Sequence, residues 1–146
     1  MNKLPKNLTS ELDRKRLTTD IEFEFLRLGQ TAYDGLKEAI EARRLTNRQT
    51  ANALRLLQLL TVQHCFAMRA DLHELALGLA DDERIEVRTQ AIAIAIGMTL
   101  LKEHFPQLRI ENADRSVVAP VVERGLEKGL KPYLKSYAED FLGHKF

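Results

Sequence analysis

Few residues in this chain are suited to chemistry. Four histidines (His64, His73, His104 and His144) and one cysteine (Cys65) could ligate a metal or lead a nucleophilic attack. Beyond loose neighbours, none of the histidines has a second His, Cys or carboxylate at the three- or four-residue spacing of a helical metal site. No metal and no cofactor is expected. His64 adjoins Cys65, but neighbours along a helix point in different directions. A Cys–His nucleophile would need a partner delivered by the fold. Cys65 lies in an apolar stretch and reads as a small core residue. The glycines of RGLEKGLKP (Gly125, Gly129) have no strand before them, so they are not a phosphate loop. GxSxG, HExxH, CxxC and EF-hand patterns are absent from the sequence. The expectation is a chain that binds rather than catalyses.

Charge is the other source of function. Lys3, Lys6, Arg14, Lys15 and Arg16 load the N-terminal segment, and Arg43, Arg44, Arg48 and Arg55 mark a helix junction and one helical face. The Arg43 to Arg55 surface could track phosphates. Aromatic interleaving that would stack bases is missing there, and the chain has no Trp. The balance of 22 Lys plus Arg against 21 Asp plus Glu gives a net charge of +1. No general field draws in nucleic acid or an anionic membrane. A lone cysteine forms no intramolecular disulfide and fits a reducing compartment. The N-terminus lacks the apolar core of a secretory signal. Ala91 to Leu101, the longest apolar-rich run, falls well short of the ~20 residues that span a bilayer. A cytoplasmic location is the expectation.

The elements that position these residues read as helices. The 146 residues suit one domain, placed over 20–146 with 1–19 as a tail or short helix. Ile21, Phe25, Leu28, Ala32, Leu36 and Ala39 recur at steps of three or four and predict one helix over Asp20 to Arg44. Capping-box patterns stand at Thr19/Glu22 and Thr46/Gln49, with the related Asp71/Glu74. A second helix runs from Asn47 to about Met68, with Arg48, Asn52, Arg55 and Gln63 as its polar stripe. A short third covers Leu72 to Leu79. The stretch RTQAIAIAIGM (Arg88 to Met98) alternates Ala and Ile, which alone would suit a strand. The flanks decide otherwise. Val87, Ala91, Ile94, Met98 and Leu101 continue in helical steps, and Ala favours helix over strand. The prediction is a helix over Ile85 to His104, apolar on two faces and sandwiched between neighbours. Pro106 ends it, Gln107 to Asp114 form a loop, and Val117 to Phe146 form one kinked helix or two shorter ones.

Within this pattern, GLADDERIEVRTQAIAIAIG (Gly78 to Gly97) resembles a HEAT repeat, with Asp82, Val87, Arg88 and Ala91 at matching positions. The match covers about one repeat. The resemblance implies a scaffold or binding module, and an ion pair between Arg88 and Asp81 or Asp82 that braces the turn. A single repeat cannot bury its own face, so the flanking segments must cover it.

Together these readings predict an all-α fold of antiparallel helical hairpins, a HEAT-like short solenoid or bundle of five to seven helices. The expected function is non-catalytic binding of another protein, as an adaptor, regulator or inhibitor of the immunity type. The expected surface is Arg48, Asn52 and Arg55 with Arg84, Glu86 and Gln90. Nucleic-acid binding through the Arg43 to Arg55 surface is the alternative. Phe23, off the apolar face, is a contact candidate. Tyr133, Tyr137, Phe141 and Phe146 would pack internally or serve a homodimer.

Overall fold

The computed structural model describes residues 6–64 and 68–145. Lys3, Cys65 and Phe146 lie outside the described residues, as do the side chains of Lys6 and His64. The described chain is all-α, with eight helices and no strand. None of these helices is long and apolar enough to cross a membrane. The packing groups the chain into two compact units, 1–66 and 67–146.

The first unit contains α1 (Lys6–Glu11), α2 (Thr19–Leu28), α3 (Gln30–Glu41) and α4 (Asn47–His64). The segment read as a tail or short helix contains the short helix α1, which packs on α2, and Leu8 and Leu12 of this segment are buried. The single helix expected over Asp20 to Arg44 is broken at Gly29, with φ 55° and ψ −122°. That conformation is open to glycine because it has no Cβ. The apolar steps run through the break unchanged, so periodicity alone does not show it. The N-cap of α2 is Thr18, whose Oγ1 accepts from Ile21 N at 3.3 Å; Thr19 is the first helical residue. Thr46 and Gln49 do form the reciprocal capping box. Thr46 N donates to Gln49 Oε1 at 3.0 Å, and Gln49 N donates to Thr46 Oγ1 at 3.3 Å.

The second unit contains α5 (Met68–Leu79), α6 (Ile85–His104), α7 (Arg115–Lys128) and α8 (Pro132–Leu142). Asp71 lies inside α5 and does not cap it. The Ala–Ile stretch is helical, and α6 spans the predicted residues. Ile92, Ala95 and Ile96 form one core with Val118, Val121 and Val122 of α7 and Leu134, Ala138 and Phe141 of α8. The opposite face, Val87, Ala91, Ile94 and Met98, is buried as well, and α5 packs closely on α6. Full burial of each isoleucine contributes roughly 1.5–3 kcal/mol, which explains a helix apolar on both sides. After α7 the chain breaks at Gly129 (φ 109°), and Pro132 opens α8. The C-terminal segment is therefore two helices.

Candidate interaction site

The site is built from the α3–α4 turn. Helix α3 ends in a Schellman motif: Arg44 N donates to Ala39 O and Arg43 N to Ile40 O, both at 3.1 Å. The left-handed position of this motif normally favours glycine. Here Arg43 occupies it, with φ 55°. The turn then meets the capping box at Thr46, and α4 presents Arg48, Asn52 and Arg55 along its exposed stripe.

That stripe holds the connection between α1 and α2. Asn52 Nδ2 donates to Leu12 O at 2.7 Å and to Arg14 O at 2.9 Å. Arg48 Nη1 donates to Asp13 O, and Thr46 Oγ1 donates to Asp13 Oδ1, each at 3.3 Å. Arg55 makes a loose 3.9 Å pair with Glu22 of α2. Three side chains of α4 and its cap thus fasten residues 12–14. Asn52 acts as a positioning residue whose amide is taken up by the loop.

The consequence is electrostatic. Lys15 and Arg16 follow the fastened segment by one and two residues, and Arg43 precedes Thr46 by three. An extended chain covers at most ~3.3–3.6 Å per residue. Lys15 and Arg16 therefore lie within a short reach of Arg48, whose guanidinium holds Asp13 O, while Arg43 stands three residues before Thr46. Arg14 is paired to Glu11, and Arg44 lies 3.4 Å from Glu38. Lys15, Arg16, Arg43 and Arg48 have no carboxylate at ion-pair distance among the described residues. In the second unit Arg84, Lys102, Arg115, Arg124, Lys128 and Lys131 are each paired to an acid, while Arg109, Lys135 and Lys145 have none at ion-pair distance among the described residues.

The six residues read from the sequence as a binding surface divide between the units. Arg48, Asn52 and Arg55 share α4; Arg84, Glu86 and Gln90 sit at the start of α6. Arg84 is bound by Asp82, Nε to Oδ1 at 2.8 Å, and this contact holds its guanidinium above its usual pKa. Glu86 pairs with Lys131 at 3.6 Å. The expected ion pair of Arg88 does not form. Arg88 is buried, and its guanidinium donates to backbone carbonyls, Asp82 O at 2.7 Å and Gly129 O at 2.7 and 3.0 Å. Asp82 turns its carboxylate to Arg84 instead, while Asp81 faces Arg124 at 3.3 Å. Arg88 thus ties the first turn of α6 to the α7–α8 connection, where Lys131 N also donates to Thr89 Oγ1.

Sequence reasoning placed Lys15 and Arg16 in a tail and so left them out of the surface. The Asp13, Asn52 and Thr46 contacts that bring them in carry no spacing signature. Phe23 is 62% exposed, consistent with its position off the apolar face of α2. At the end of α8 an open cleft of about 320 Å³ gathers Ser136, Asp140 and His144, but His144 Nδ1 lies 3.3 Å from Lys145 O. Among the described residues, no three of His, Cys, Asp and Glu converge to hold a metal ion. No family model, curated protein or solved structure matches this chain.

Proposed function

We propose that this chain is a non-catalytic binding module that docks on another protein, as an adaptor, regulator or inhibitor, through the cationic face of its first unit. The observation that carries this reading is the set of cations with no carboxylate at ion-pair distance among the described residues, Lys15, Arg16, Arg43 and Arg48, the last of which also helps fasten the loop to α4 through Asp13 O. Cations paired within the fold have little left to offer a partner. Unpaired ones project a field that speeds and orients association with an acidic surface. Fastening the loop beforehand lowers the ordering cost of binding. The resemblance of Gly78 to Gly97 to a HEAT repeat supports a binding role on independent grounds, and the α5–α6 and α7–α8 hairpins suit it.

A second reading is nucleic-acid binding by the same face. It is favoured by the spread of the unpaired cations over a loop and a turn, which suits a phosphate backbone. One experiment separates the two. The wild type and the Arg16→Glu/Arg48→Glu variant are used as bait in lysate of the native organism, with and without nuclease. An acidic protein retained by the wild type after nuclease, and lost by the variant, supports the first reading. Retained nucleic acid with a log-linear salt dependence, about −0.9 per phosphate contacted, supports the second. Charge reversal that leaves every binding partner in place overturns both.

A further inference from the structure

We infer that His73 is a pH-sensitive latch on the α6–α7 loop, holding residues 110–114 against the helices at neutral pH and releasing them on acidification. His73 lies on α5 and is fully buried. Its Nε2 is 3.0 Å from Asn112 O. A carbonyl only accepts, so Nε2 carries the proton and Nδ1 holds the lone pair. That Nδ1 is buried with no hydrogen-bond partner among the described residues.

The loop depends on such contacts. Its backbone bonds are local turns, Leu108 N to Phe105 O and Ala113 N to Ile110 O. Its attachments to the helices include His73 and Lys102, whose Nζ donates to Ile110 O at 2.9 Å and pairs with Asp114 at 3.1 Å. Asn112 sits at φ 64°, a left-handed conformation that asparagine tolerates better than most side chains. Ile110 and Ala113 are buried beneath the loop, next to a cleft of about 240 Å³ lined in part by Lys102, Asp114 and Arg115.

A second proton on the imidazole meets three penalties. Nδ1–H would have no acceptor. The new cation would be buried. It would also stand near Lys102, the charged group that α6 turns toward it. Asp114 on the loop is the opposing charge, and it already holds Lys102. On α5 itself, Asp71 and Glu74 are exposed. Burial therefore pushes the His73 pKa down. The Asn112 contact opposes that shift, Lys102 adds to it, and Asp114 counters it. Proton uptake is relieved when the site opens to water, and the part attached by a few side-chain bonds opens most readily.

The test uses the full-length protein. The imidazole signals of His73, His104 and His144 are titrated by NMR, and exchange of the amides of residues 110–113 is followed from pH 8 to pH 5, corrected for intrinsic rates. The expected result is a His73 midpoint below the ordinary histidine value. Protection of the loop amides should fall up to tenfold per pH unit as pH drops below the unperturbed histidine value, levelling off at the His73 midpoint. His73→Gln, which does not titrate, should make loop protection independent of pH. The latch is overturned if wild-type loop protection is pH-independent while the ring titrates. It is equally overturned if His73→Gln keeps the wild-type dependence. Should His73→Gln fail to fold, the wild-type pH profile of loop protection, set against the ring titration, decides alone.

Discussion

Gly125 stands in the last turn of α7, still inside the helix, where alanine would ordinarily stabilise by up to about 1 kcal/mol. Here the opposite sign is expected. A Cβ added to Gly125 would overlap Ile92 Cδ1 of α6, closer than real carbon contacts allow, while Ile92 Cγ1 and Leu130 Cδ2 stay at ordinary distances of 3.6 and 3.5 Å. Ile92 Cδ1 is a flexible tip, but Ile92 is fully buried among α7 and α8 side chains and has little room to turn. Overpacking of this kind costs ~1–3 kcal/mol. The net for Gly125→Ala is a loss of about 1 kcal/mol. Ile92→Val removes the offending methyl and alone should cost ~0.5–1.5 kcal/mol. In the double variant the new methyl fills the vacated space and the helix gain is realised. Its stability should lie within about 0.5 kcal/mol of wild type or above it, giving a coupling of about 2 kcal/mol. Urea unfolding followed by circular dichroism measures all four proteins, read as shifts in midpoint at constant slope. Stabilisation by Gly125→Ala alone, or additivity within 0.5 kcal/mol, would refute the close-packing argument.

Arg43→Gly relieves a left-handed non-glycine residue and should stabilise the protein by ~0.5–1 kcal/mol in the same assay, while weakening binding at the cationic face. Arg88→Met strips the donors from Gly129 O and Asp82 O and should cost about 3 kcal/mol; Arg88→Lys, lacking the planar fork, should recover less than half of that. The depressed pKa of His73 sets a pH dependence of global stability. Below pH ~6.5 the unfolded chain takes up a proton that the native state resists, so stability is complete above that value and falls as pH drops toward the native pKa. The wild type should lose stability relative to His73→Gln over that window by at most ~1.4 kcal/mol per pH unit, as measured by urea midpoints at pH 7.5 and 5.5.

How much of this was legible in the sequence depends on whether a feature is local. Helix α6 was read to its ends because its signals are its own: an apolar run in helical steps and Pro106 after it. Gly29 was not read as a break, because the apolar steps of α2 and α3 stay in phase across it. The ion pair expected of Arg88 failed for a related reason. Its acceptors are backbone carbonyls, which every residue offers, so nothing in the sequence distinguishes Gly129 or Asp82 as targets. The candidate site depends most on such invisible acceptors. Asn52 and Arg48 were read as surface residues awaiting a partner, and both are engaged with the backbone of residues 12–14. Those bonds hold the segment that leads into Lys15 and Arg16 against α4 at Arg48 and Asn52. A net charge of +1 gave no hint of this, because net charge sums what pairing separates. Both units pair most of their cations with acids; among the described residues, those the first unit leaves without one are Lys15 and Arg16 after the fastened segment, Arg43 on the α3–α4 turn and Arg48 on α4. The field felt by a partner follows the unpaired charges, so a nearly neutral chain can still present a basic face.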